Sequence, residues 1–398
     1  MRRLLGLDDL TGPLYRLSLA VFLFSFSEAG IIFLMLYLTE ALGFPVVRAG
    51  FVIGMLGLGA IAGSYLSGWV CDRVPARNVL ALLMAVTGIC IALIGTLSDA
   101  WILGVLLLLL GAARGGVRPA YSVAMMGMVG DTHRSQAFSV YLTAVNLGAG
   151  MAAAVGAWLV PYGYAPVFAM AGGMAIGAGL VAMLTVTTET RMEAVVSRKD
   201  AEVTQRSPFA DPTFLIFCGA ILAWAFIAGQ TRSTYPIYLT ERYGIDASDY
   251  GLLWTLNMSL AVLCSVPLSA ILKRFERCRA IMAASILFSA GLALLPYGEG
   301  QMFVGVCMAL LTLGGIGLWP LLVATVLKRG EAEGAAGRYM GLYNALFSSG
   351  HIAAPVVGTA IYASFGGDVV WHLVALCGVA SVLLSFAAFR LGRRPLGA

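Results

Sequence analysis

Residues 22–40 read FLFSFSEAGIIFLMLYLTE, and the fold follows from how this stretch is read. It is the later part of an apolar run that starts near Leu14. Roughly 20 apolar residues cross a bilayer as one helix, so the run is long enough to span. Glu28 lies near its middle. A carboxylate at the centre of a membrane helix costs at least ~2.5 kcal/mol. Its presence calls for a bundle interior or a water-filled pathway.

The rest of the chain agrees with a membrane protein. It has 398 residues, of which 60% are hydrophobic and 11% charged, with a mean hydropathy of +0.89. A soluble domain carries about 25% charged residues. There is room for twelve spans with short connections, expected at 14–39, 48–70, 79–97, 101–126, 137–159, 165–187, 213–238, 250–272, 280–297, 302–326, 339–363 and 369–390. The apolar run near the N-terminus is too long for the core of a signal peptide, and no cleavage site follows it. The seven cysteines are scattered without a Cys-x-x-Cys pair, which points to apolar packing residues and away from disulfide or metal frameworks. Glycine-rich pieces interrupt apolar spans and do not follow soluble strands, so no phosphate loop is predicted. No catalytic residue, metal or cofactor is expected.

Charge sets the topology. An even number of spans puts both termini on one side. Of the 25 Lys and Arg, Arg48 and Arg242 fall on the opposite side and Arg114, Arg118 and Arg232 inside spans, leaving 20 on the side of the termini. Positive residues collect on the cytoplasmic face, so both termini are expected in the cytoplasm of a plasma (bacterial inner) membrane. The formal net charge of +5 is thereby accounted for without a nucleic-acid partner.

The chain also repeats. Tyr37-Leu38-Thr39-Glu40 returns as Tyr238-Leu239-Thr240-Glu241, at a spacing of 201. Gly116-Val117-Arg118-Pro119 returns as Gly317-Leu318-Trp319-Pro320 at the same spacing, and Gly148 and Gly156 return as Gly350 and Gly358 at 202. Matches in one register mean a duplication. The expected architecture is an all-α membrane protein of twelve transmembrane helices in two pseudo-symmetric six-helix bundles, 1–187 and 213–398, joined by a polar cytoplasmic linker, 188–212. Two similar halves around a midplane site are how many secondary transporters are built.

The loop after the second span, Gly68-Trp69-Val70-Cys71-Asp72-Arg73-Val74-Pro75-Ala76-Arg77, resembles the cytoplasmic signature of the major facilitator superfamily, Gly-x-x-x-Asp-Arg-x-Gly-Arg-[Lys/Arg]. Gly68, Asp72, Arg73 and Arg77 match, while Pro75 and Ala76 replace a glycine and an arginine. The resemblance implies a gating latch in which Asp72 faces the start of span eleven, and a transporter working by alternating access. Asn146-Leu147-Gly148 with Gly156 resembles the glycine-rich antiporter motif of span five, although small residues there also permit close packing. The stretch 337–343 and the Pro236-x-Tyr238 of span seven resemble the drug:proton antiporters of that superfamily. Tyr-Leu-Thr-Glu and Gly-Gly-Val-Arg118-Pro119 resemble proton-coupled oligopeptide transporters, whose Glu-x-x-Glu-Arg motif is missing here.

Candidate site residues follow from charge inside the membrane. At 1.5 Å per residue, Glu28 and Arg114 reach similar depths, so they are expected to pair and to carry proton coupling. Arg118 is one turn away on the same face. Arg118, Asn146, Gln230, Arg232, Tyr235, Asn257, Trp319, Asn344 and His351 are the expected substrate-binding residues. Three intramembrane arginines against one carboxylate predict an anionic group on the substrate. The expected function is a proton-coupled secondary transporter, monomeric, exporting a small amphipathic or anionic solute. The alternatives are a proton-coupled uptake symporter of anionic solutes or peptides, and a non-transporting membrane sensor, for which no output domain is visible.

Overall fold

The computed structural model describes residues 12–71, 73–126, 134–185, 207–272 and 274–391. Every regular element among them is helical. The spans are, in order, span one (Gly12–Ser25, Glu28–Ile32, Leu34–Leu36 and the π-turn Tyr37–Ala41), then Val46–Cys71, Ala76–Ile94, Ala100–Met126, Arg134–Leu159 and Tyr164–Thr185. After the linker come span seven (Pro212–Gln230 and Thr234–Tyr243), Ala247–Leu272, Arg277–Ala293, Gly300–Ala332, Ala336–Phe365 and Gly367–Leu391. Eleven described helices are long and apolar enough to cross a membrane. Arg277–Ala293 has 17 residues and continues into the 3-10 turn Leu295–Tyr297, completing twelve. Residues 188–206 of the expected linker, and Asp72 of the expected latch, lie outside the described residues.

Two compact units emerge, Met1–Arg198 with Asp246–Ser259, and Lys199–Ile245 with Leu260–Ala398. The start of span eight, expected with the second bundle, thus groups with the first unit. A small residue permits this. A Cβ on Gly251 would come within 2.7 Å of the Phe33 ring and 3.1 Å of the Ala153 carbonyl. Ser248 Oγ donates to the Ala157 carbonyl at 2.7 Å.

Span one is the most enclosed, with 78% of its most apolar window buried against 39% for the next span. The repeated Tyr-Leu-Thr-Glu segments tie the ends of spans one and seven into their own units. Glu40 Oε2 accepts the Tyr164 hydroxyl at 2.8 Å, and Glu241 Oε2 accepts the Tyr362 hydroxyl at 2.5 Å.

Glycines set the closest helix contacts. In the first unit a Cβ on Gly63 would lie 1.8 Å from the Ala112 carbonyl oxygen, and one on Gly111 would lie 2.0 Å from that of Leu56. Spans two and four therefore touch backbone to backbone, which is open only to the smallest residues. The span-five glycines pack on span one: Gly148 against the Phe22 carbonyl and Gly156 against the Phe33 ring. Their repeats act alike, Gly350 against Ala225 and Gly358 against Gln230. The antiporter-like glycines thus have a packing role in both units. A Val at 148 or 350 has no space, so Gly148→Val and Gly350→Val should each lower stability by about 1–3 kcal/mol, the usual cost of overpacking. Thermal unfolding of the detergent-purified protein checks this.

Candidate functional site

Spans one and seven were expected as continuous helices, and both are interrupted near mid-depth. In span one, Ser18 and Ser25 hydroxyls donate to the carbonyls of Leu14 and Val21, both at 2.8 Å. Such back-bonds bend helices. The backbone then tightens, with Phe26 N–H on the Leu23 carbonyl at 3.1 Å and Ser27 N–H on that of Phe24 at 2.9 Å. In span seven, Pro236 lacks an N–H and its ring crowds the carbonyl four residues earlier, that of Arg232. The chain answers with three short turns in succession at Thr231, Arg232 and Ser233, bonded to Ala228, Gly229 and Gln230. Pro236 was the visible signal for this break, and span one holds no proline at the matching place. Discontinuous spans are where transporters place substrate and ion sites.

The break in span one carries the charged pair. Arg114, from span four, donates one amino group to Glu28 Oε1 and the other to Ser27 Oγ. The expected pairing of Glu28 with Arg114 is therefore present, and Ser27, overlooked in the sequence, completes it. The side chains are only 16% (Arg114) and 22% (Glu28) exposed, and Ser27 is fully buried. Phe24 lies 5.6 Å below the guanidinium. The glycine contacts between spans two and four fix the rotation of span four that aims Arg114 here. Arg118, one turn on, is exposed and forms no ion pair with a described carboxylate. Asn146 and Asn257 are half-buried, and both lie in the first unit.

In the second unit, Gln230 is fully buried, donating to the Ala354 carbonyl at 3.3 Å and accepting from Thr234 Oγ1 at 2.8 Å. It holds the break of span seven against span eleven. Tyr235 is 1% exposed and meets the Trp371 ring at 6.2 Å, which places it in the bundle core. Arg232, Trp319 and His351 are half-buried and Asn344 is exposed. Of the latch residues, Arg73 folds back over Trp69, 3.7 Å from its ring, and donates to the Trp69 carbonyl at 3.1 Å. Arg77 is half-buried beside Asn78. Gly68 has open space where a Cβ would stand. Among the described residues no cluster of three or more His, Cys, Asp or Glu could hold a metal.

A second buried charge escaped the sequence reading. Asp211, 1% exposed, caps span seven through the Phe214 N–H at 3.1 Å. Arg329, at the end of span ten, grips it with Nε at 2.7 Å and Nη2 at 3.1 Å, and the Tyr339 hydroxyl donates at 3.1 Å. The partners are 118 and 128 residues away in sequence. Only the Asp-Pro pair, a helix-start signal, was local. Burial alone would raise the Asp211 carboxyl, but hydrogen bonds from Arg329 and the Phe214 amide outweigh it and hold it below the ordinary carboxylate value.

Two pseudo-symmetric helical halves, each with an interrupted span and one with a charged pair at the break, have the architecture of many secondary transporters. The chain belongs to the Major Facilitator Superfamily, whose family model matches residues 17–355 and 231–397. It is 28% identical to the uncharacterized MFS-type transporter YttB of Bacillus subtilis (strain 168), over 83% of each chain. It is 22% identical to the multidrug resistance protein MdtH of Aeromonas hydrophila, over 88% of each. Among solved structures it resembles the nucleoside transporter NupG, with a TM-score of 0.78 at 15% identity over 97% of this chain and 100% of that one. It also resembles the POT family transporter PepTSo, with a TM-score of 0.74 at 15% identity over 96% and 97%. These likenesses show the fold.

Asp211→Asn keeps a capping oxygen but removes the charge that Arg329 holds. It should lower stability by about 1.5–3 kcal/mol, the worth of a charge-assisted hydrogen bond. Because the folded carboxyl titrates below its unfolded value, the wild-type advantage is complete above about pH 4 and fades as pH falls through the folded value. Thermal unfolding of both forms between pH 7 and pH 3 checks sign and size.

Proposed function

We propose that the chain is a proton-coupled secondary transporter of a small amphipathic or anionic solute, working by alternating access with both termini cytoplasmic. The observation that supports it is the shared guanidinium. Arg114 cannot serve Glu28 and a solute anion equally. A proton on Glu28 removes its charge and releases Arg114, which then offers its planar fork to a carboxylate or phosphate. Arg118, exposed one turn away, is the second cation for that group. An empty site reforms the Glu28–Arg114 pair and expels the proton. One charge crossing 100 mV supplies ~2.3 kcal/mol, enough to bias two states of similar energy.

This logic binds proton and anion together, and so favours co-transport. Export in exchange for protons is the second reading. What favours it is the similarity to a protein named for multidrug resistance.

Glu28→Gln fixes the neutral form. In proteoliposomes it should abolish accumulation driven by a pH gradient and spare solute exchange at equal pH; undiminished accumulation would refute the coupling role. Arg118→Gln should weaken transport of anionic solutes by about tenfold or more, on the scale of one lost charged hydrogen bond, and leave cations untouched. Preferential movement of cations by the wild type would count against the charge assignment. The sign of the effective pH gradient separates co-transport from exchange.

A further inference from the structure

The repeat register sets Gly229 against Glu28, Gly315 against Arg114 and Trp319 against Arg118. The second unit therefore lacks the charged pair at the matching places and carries an indole where the first carries a guanidinium. The indole packs beside Gly315, where a Cβ would stand 3.4 Å from Trp319 Nε1, an ordinary contact.

Trp319 continues into a run of rings. It meets Phe347 edge to face at 5.2 Å, and Phe347 lies 4.5 Å from the His351 ring at an interplanar angle of 38°. Phe288 supports Trp319 from span nine at 5.3 Å. These rings rest on core aromatics, Trp319 on Phe288 and Phe347 on Tyr343 at 5.9 Å, but lie nearer the surface than the innermost ones. Trp224 and Trp371 are both fully buried, whereas Trp319, Phe347 and His351 are half-buried. The same face of span eleven carries exposed Asn344, and Arg232 lies within electrostatic reach of His351. A lipid-facing stripe would not combine Asn, Arg and His.

The tautomer of His351 follows from its partner. Nδ1 is 3.0 Å from the Phe347 carbonyl oxygen, which can only accept. Nδ1 therefore holds the proton, and the neutral ring presents Nε2 as an acceptor. A ligand ring seated here is matched by stacking on its face and by an acceptor for a ring hydroxyl or N–H; its acid group is the one the transport reading above calls for.

We propose that Trp319, Phe347 and His351 form a shelf for a planar ring bearing a hydrogen-bond donor, so that the solute is an aromatic or heteroaromatic acid. This rests on the transport reading above and narrows its substrate class. Gly229 and Gln230 fix the shelf in place: Gly229 lets span eleven approach span seven closely, and Gln230 bonds the Ala354 carbonyl.

Three acids of equal charge test it on the full chain in lipid nanodiscs: cyclohexanecarboxylate, benzoate and 4-hydroxybenzoate. Benzoate should bind about threefold to tenfold tighter than cyclohexanecarboxylate, on the scale of an aromatic pair. The added hydroxyl should bring a further gain of about threefold to tenfold, on the scale of one hydrogen bond. Phe347→Leu should erase the first preference and His351→Leu the second. Trp319→Leu, expected to erase the first as well, stands in if Phe347→Leu does not fold. Equal binding of the three acids, preferences unchanged in the variants, or no saturable binding of either aromatic acid in the millimolar range overturns the shelf. Gradient-driven movement of cyclohexanecarboxylate as fast as benzoate, lost in Glu28→Gln, overturns the shelf and leaves the transport reading standing. Shelf-dependent binding with no gradient-driven movement of any of the three upholds the shelf and sinks the coupling.

Discussion

A carboxylate and a guanidinium, each mostly withdrawn from water, hold one another where a helix is broken. The first unit is built around that constraint. Neither charge is tolerable alone at this depth, so the surrounding helices must deliver both to the same place. Span one delivers Glu28 and Ser27 by breaking at Phe26. Span four delivers Arg114 because glycines lock it onto span two at backbone contact. Span five closes on the break because Gly148 lets it reach the Phe22 carbonyl. A pair assembled in this way is satisfied by its own members and by the Ser27 hydroxyl.

The second unit repeats the scaffold with different chemistry. Its span seven is also broken and is also clamped by a pair of glycines from the fifth helix of the unit, Gly350 and Gly358. The register positions of the charged pair hold glycines, and the neighbouring surface is aromatic. Its buried charge has moved to the end of the bundle, where Asp211 joins the start of span seven to spans ten and eleven. At the broken span, one half thus carries charge and the other rings and neutral hydrogen bonds.

Much of this was legible in sequence. Hydropathy located twelve spans because lipid demands about 20 apolar residues for each. The 201-residue register exposed the duplication. Depth counting paired Glu28 with Arg114, since helix rise is constant. The breaks were not seen, because a bent helix keeps the same apolar composition as a straight one; Pro236 marked one of them, and only serine back-bonds marked the other. Asp211 was missed because its partners come from distant segments, and charges near span ends look like ordinary loop charges. Tyr235 was read as a site residue from its neighbours in sequence, but after the break in span seven it points to Trp371. Ser27 gave no signal of its own, since a neutral serine in an apolar span commonly bonds its own helix.

The glycine at 229 limits what the second half can accept at this position. A Cβ there would lie 2.4 Å from that of Ala354 on span eleven. Span eleven has settled into space that an acidic side chain at the position matching Glu28 would need. A carboxylate does not fit here by one substitution, because Ala354 and the helix bearing it would have to retreat as well. The asymmetry between the halves is thereby locked in by packing: with span eleven closed over the glycine, restoring the symmetry takes coordinated changes in two helices.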